Sequence, residues 1–161
     1  MVVGRVVIVG AGPAGAALAY LLARRGVEVA LVERHPDFER TFRGDGLQPS
    51  GIDAFDQMGL GDRLRQLPRA IINMIDVYQG GRRRARLATE SLGFIPCFIP
   101  QPAVLAMLTE ESRKWPSFQL HLGTAFRDLI RAEGRVVGVR ADGPNEPHDF
   151  PADLVVGIDG R

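Results

Sequence analysis

The residues Arg5-Val6-Val7-Ile8-Val9 run directly into Gly10-Ala11-Gly12-Pro13-Ala14-Gly15, and this junction constrains the fold more than any other part of the chain. A short apolar, β-branched run reads as a strand buried on both faces, which is the place of a central strand in a parallel sheet. After it, Ala14, Leu18, Leu21 and Leu22 recur at helical spacing up to Arg24-Arg25-Gly26. Gly26 suits the left-handed position that closes a helix, and the two arginines match the negative end of the helix dipole. Residues 27–32 then predict a second strand, closing on Glu33. The order is strand, helix, strand, with a Gly-x-Gly-x-x-Gly turn at the first junction.

Each residue of that turn has a physical task. Gly10 permits a tight turn, Gly12 lets a pyrophosphate approach the backbone, and Gly15 lets helix and strand pack closely. Pro13 falls in the first helical turn, where its missing N–H costs nothing and its φ is already helical. The unbonded amides and the positive dipole end then face an anion. Glu33 can accept hydrogen bonds from both hydroxyls of a ribose and would repel a 2′-phosphate, so the ligand expected is an unphosphorylated adenosine dinucleotide, FAD or NAD. A glycine turn alone is a weak signal; the strand before it, the helix after it and the acid at the second strand's end make it specific.

Composition removes other classes. The chain has 161 residues and a net charge of +1, whereas an electrostatic nucleic-acid binder needs a surplus of basic groups. A single cysteine, Cys97, forbids an internal disulfide, and no Cys/His spacing suits zinc. The apolar run at residues 6–9 is too short for a signal-peptide core or a membrane span, so a cytoplasmic protein is expected.

Further along, a short helix is expected over residues 50–58 with Gly59 as its stop, then a strand over 71–78, a turn at Gly80-Gly81 and a returning strand over 84–88. Gln101-Pro102 opens another helix through about Lys114, with Val104, Leu105 and Leu108 on its apolar side. A short strand follows at 118–122. Residues 125–131, 136–141 and 148–150 read as a three-stranded antiparallel meander, and 153–158 as a last apolar strand before Asp159-Gly160-Arg161. His35, His121 and His148 are scattered and read as surface or core residues. Arg82-Arg83-Arg84 reads as a solvated hairpin tip, Cys97 as an inert buried thiol and Trp115 as the anchor of a helix end.

In this order the glycine turn, Glu33-Arg34, Arg43-Gly44, Gln101 at a helix start, the meander and Gly157-Ile158-Asp159-Gly160-Arg161 resemble the FAD-dependent aromatic hydroxylases, the single-component flavin monooxygenases of the p-hydroxybenzoate hydroxylase type. The resemblance spans the whole chain. It implies an α/β, Rossmann-like FAD-binding domain with a parallel sheet and a three-stranded antiparallel meander, incomplete relative to the family. On this reading residues 1–161 are the N-terminal part of a discontinuous FAD-binding domain. The hairpin at 70–93 would join a substrate domain mostly absent from this chain, with Tyr78 or Ile75 on the substrate side.

The same resemblance implies FAD as cofactor and NAD(P)H as reductant, with O2-dependent hydroxylation of an aromatic or similarly activated small molecule. The alternatives are a reductase of the same architecture and a non-catalytic nucleotide-binding fragment. The 161-residue chain alone is expected to be inactive, and a homodimer is left open. The implied cofactor contacts are Gly10, Gly12, Pro13, Ala14, Gly15, Glu33 and Arg34, with Arg43 near the pyrophosphate, Gln101 near the ribityl chain and Asp159 at both FAD and NAD(P)H. The planar fork of Arg43 suits a phosphate. Gln101 could instead cap its helix, and Asp159 could cap a following one. No catalytic acid, base, nucleophile or metal ligand is assigned, because the cofactor would carry the chemistry.

Overall fold

A computed structural model describes residues 4–39, 46–92 and 97–160. The chain divides into two compact units, residues 1–40 with 105–161, and residues 41–104. Arg43 lies outside the described residues.

The first unit begins with β1 (Arg5–Val9), α1 (Pro13–Ala23) and β2 (Glu28–Val32). It continues with β8 (Phe118–His121), the meander β9 (Ala125–Ala132), β10 (Arg135–Asp142) and β11 (Pro147–Pro151), and then β12 (Leu154–Gly157). Four of these strands form a parallel sheet in the order β12-β1-β2-β8. β1 is thus an inner strand, as its apolar run requires. Strand alternation sends its residues to opposite faces. Val7 joins Val32 in a cluster with Val139, Ala141 and Ala152, so β10 and the approach to β12 cover that face. On the other face Ile8, fully buried, lies under the start of α1. Each such aliphatic side chain contributes roughly 1.5–3 kcal/mol on burial. The meander has the expected order, β11-β10-β9.

Helix α1 departs from the expected pattern in one respect. Its buried stripe is Gly15, Ala16, Ala19, Tyr20 and Ala23, whereas Leu18, Leu21 and Leu22 are half-buried and Ala14 is exposed. Close approach of helix and sheet leaves room only for small side chains, so the leucines are displaced to the flanks. The helix ends as expected: Val27 N–H donates to Leu22 O (3.2 Å) and Gly26 N–H to Ala23 O (2.9 Å), with Gly26 at φ +77°. This is the paired hydrogen-bond pattern of a left-handed glycine cap. Arg25 adds a bond to the Leu21 carbonyl. Trp115 packs edge-on against Tyr20 with ring centroids 5.3 Å apart, an anchoring contact for the turn after α4 (Gln101–Ser112).

The second unit holds β3 (Gly46–Leu47), α2 (Pro49–Gln57), α3 (Gly61–Gln66), β4 (Ala70–Ile71), β5 (Met74–Gln79), β6 (Arg82–Ala88) and β7 (Cys97–Phe98). The strand expected over 71–78 is two strands. β4 pairs with β7, while β5 pairs with β6 through the turn at Gly80-Gly81. Thr89, almost fully buried, holds the break between them, donating Oγ1–H to Ile72 O (2.5 Å) and N–H to Asn73 O (3.0 Å). Helix α3 is absent from the sequence-based expectation, being too short to show periodicity. α4 starts at Gln101, as expected, and the boundary between the units falls inside it.

Candidate functional site

Register determines where the loops meet. Val9 is level with Val32 and with Gly157, and Val32 with His121, so β1, β2, β8 and β12 all finish at one edge of the sheet. Four connections leave that edge together, and open parallel sheets bind ligands there. Backbone bonds extend the ladder past the strands: Gly10 N–H donates to Val32 O (2.8 Å), Ile158 N–H to Val9 O (2.8 Å), Glu33 N–H to His121 O (2.9 Å) and Thr124 N–H to Glu33 O (2.8 Å).

The three glycines of the turn are required for different reasons. Gly10 has φ +105°, and a Cβ there would lie 2.6 Å from Ile158 O and 2.7 Å from Asp159 Cα. A Cβ on Gly15 would lie 1.9 Å from Gly10 O, which accounts for the small-residue stripe of α1. Gly12 is the opposite case. It is extended (φ −69°, ψ 179°) and a Cβ there would meet nothing within 4 Å. Its carbonyl accepts the first helical bond, from Ala16 N–H (2.9 Å), so Gly12 is the cap residue and has no side chain with which to cap. Pro13 has no N–H to satisfy. The first-turn amides of Ala14 and Gly15 have no intrahelical acceptor, as at any helix N-terminus.

Glu33 is buried, 5% exposed, at the end of β2. Its Oε2 accepts from Ala11 N–H (2.9 Å), and its Oε1 accepts from His35 N–H (3.0 Å) and faces His35 Nδ1 (2.5 Å). The carboxylate therefore ties the glycine turn to the chain leaving β2. His35 was assigned no role from sequence. Its signal is its place two residues after Glu33, in the bend that follows β2, where its backbone N–H and ring fold back on the carboxylate.

A cleft of about 310 Å³ lies at this edge, lined by Gly10, Glu33, Arg34, Thr124, Phe126 and Asp159 among others. That size is at the low end for small-molecule sites. Four of the expected contacts are thus brought together: Gly10, Glu33, Arg34 and Asp159, the last two exposed. Gly12, Pro13, Ala14 and Gly15 form the adjoining helix start. Gln101 is half-buried as the first residue of α4, in the second unit. The first helical bonds run to the Pro100 carbonyl, which accepts from Ala103 and Val104 N–H.

A larger cavity, about 560 Å³, lies at the opposite edge among Arg5, Gly26, Glu28 and Ser117. It collects strand beginnings and contains no helix N-terminus, so size alone does not mark the site. Among the described residues no cluster of His, Cys, Asp or Glu is arranged to hold a metal, and no helix is long and apolar enough to cross a membrane.

Comparison with known proteins gives consistent relatives. The chain is 36% identical to 6-methylpretetramide 4-monooxygenase of Streptomyces rimosus over 97% of its own length and 38% of that protein's. It therefore spans about two fifths of that relative. Among solved structures, P. aeruginosa PqsL in complex with 2-aminobenzoylacetate superposes with a TM-score of 0.79 at 27% identity, over 97% of this chain and 42% of that one. The p-nitrophenol 4-monooxygenase PnpA of Pseudomonas putida shares the fold, with a TM-score of 0.83 at 24% identity over 96% and 40%. The family match decides between the two dinucleotides left by the glycine turn, in favour of FAD. Residues 4–161 match the FAD binding domain family, and the chain belongs to it.

Proposed function

We propose that this chain is the FAD-binding part of a flavin-dependent monooxygenase that uses NAD(P)H and O2 to hydroxylate an aromatic or similarly activated small molecule. The observation that carries the reading is the open cradle at Gly12, where a side chain would enter empty space at the N-terminus of α1 while a buried carboxylate stands at the neighbouring strand end. Those residues fit FAD. Ala14 and Gly15 amides would hold the pyrophosphate, Glu33 the adenosine ribose, and Arg34 and Asp159 the rim of the cleft. Arg43 would lie near the pyrophosphate and Gln101 near the ribityl chain. When bound, FAD supplies the redox chemistry, and the protein supplies orientation and exclusion of water.

The hairpin within residues 70–93 belongs, on this reading, with a substrate-binding portion of the whole protein, and the site of action is cytoplasmic. Relatives named as monooxygenases support the activity, and the PqsL complex supports an aromatic substrate. The purified protein should be yellow and release FAD on denaturation. The whole protein, with a substrate-binding portion present, should couple NAD(P)H oxidation to O2 uptake when an aromatic substrate is added. Flavin reduction without O2 uptake would instead assign a reductase of the same architecture.

A further inference from the structure

Glu33 is held from three sides by this chain's own donors. The Ala11 amide fixes Oε2, and the amide and ring of His35 fix Oε1. The backbone on both sides is fixed as well. Glu33 N–H donates to His121 O and Glu33 O accepts from Thr124 N–H, while His35 O accepts from Gly123 N–H (2.8 Å). With the main chain locked, the freedom left to the carboxylate is rotation of its own side chain, and the His35 ring opposes that rotation. A carboxylate only accepts, so the contact requires a His35 ring that carries a proton on Nδ1. Glu33 lines the cleft and His35 does not; the contact of His35 with that lining runs through Glu33.

We propose that His35 is a positioning residue: its Nδ1–H sets the orientation of the Glu33 carboxylate that receives the adenosine ribose. This rests on the reading of Glu33 as the ribose ligand. Holding the acceptor in place before the ligand arrives removes an ordering cost from binding, so the effect appears as affinity.

The test is FAD affinity, measured by titrating apoprotein of the full chain and following flavin fluorescence, in His35→Ala, His35→Asn, His35→Gln, Glu33→Ala and the double variant Glu33→Ala/His35→Ala. Asparagine carries its amide nitrogen the same number of bonds from Cα as Nδ1, whereas glutamine places it one bond further. The expected result is about a tenfold loss for His35→Ala, the scale of one charge-assisted hydrogen bond, with His35→Asn restoring most of it and His35→Gln little. Glu33→Ala should lose more, and adding His35→Ala to it should cost nothing further, because the group through which His35 acts is gone.

Equal affinity for His35→Asn and His35→Gln overturns the proposal, as does a His35→Ala loss that persists in the Glu33→Ala background. The Asn/Gln pair decides the matter if His35→Ala does not fold. Unchanged affinity in His35→Ala with weakened affinity in Glu33→Ala removes the positioning role alone. Unchanged affinity in Glu33→Ala removes the ribose reading beneath it.

Discussion

The end of the parallel sheet and the ribbon of β5 and β6 both carry apolar side chains, yet they use them in opposite ways. At the sheet, Val6, Val7, Ile8, Leu31 and Val32 are at most 2% exposed, and side-chain atoms are excluded wherever backbone meets backbone. On the ribbon, Met74, Val77 and Tyr78 are 47%, 43% and 62% exposed, and its ordered polar contact is Asp76 with Arg86 and Arg83. A two-stranded ribbon is marginal in water by itself, whereas a four-stranded parallel sheet covered on both faces is not. Tolerance to substitution should follow that difference: steep at the strand ends, shallow on the ribbon.

The sharpest break should come from Gly15→Val. The new Cβ would fall 1.9 Å from a backbone oxygen that cannot swing aside, and the cost should be ~3 kcal/mol or more. Denaturant unfolding should show the loss, and FAD binding should disappear with the fold. Gly12→Val is the control three residues away. Its backbone is already extended and its Cβ position is clear, so the unfolding midpoint should stay close to that of the parent. FAD affinity should nevertheless fall roughly hundredfold, since the side chain occupies the approach of the pyrophosphate. Normal FAD binding in Gly12→Val would show that the cradle lies elsewhere.

A smaller effect should separate the regions by pH. Burial, and next the charge of His148, pushes the His121 imidazole below its ordinary range. The unfolded chain therefore takes up a proton near pH ~6.5 that the folded chain resists, and stability should fall as pH drops below that value. His121→Phe, which keeps a ring against Phe150, should flatten this slope in urea titrations at successive pH values. The smallest change should come from Arg86→Ala on the ribbon. Arg86 holds the Asp76 carboxyl below the usual carboxylate range, so the pair contributes above that range and is lost as pH falls through it. Exposed pairs contribute little at neutral pH. The midpoint should hardly move, and FAD affinity should not move at all. A loss of FAD affinity in this variant would end the contrast between the two regions.

The same contrast explains what the sequence reveals. The β1–α1–β2 unit is legible because its causes are local: a strand buried on both faces, glycines at fixed offsets and a carboxylate at the strand end. The meander is legible from its strands and turns, and β12 from its apolar run. The split of residues 71–78 is not, because it depends on β7, over twenty residues away, and on a buried threonine that binds two carbonyls at the break. The buried stripe of α1 is hidden for a related reason. Hydrophobicity ranks leucine above alanine, but the distance set by Gly15 reverses that order. At the site, Glu33 can be read by its place, whereas His35 cannot be read by its type. Its part emerges only in relation to the residue two before it.

The placement of β1 between β2 and β12 also has a temporal consequence. One of its flanks gains a neighbour almost at once, while the other must wait for a segment synthesised near residue 154. At about 5–20 residues per second, a ribosome leaves that flank bare for on the order of 10 s. An apolar strand with an open hydrogen-bonding edge is prone to mispairing with other chains during this interval. Yield in the cell should therefore depend on chaperone supply and translation speed, even for variants whose finished structure is unchanged.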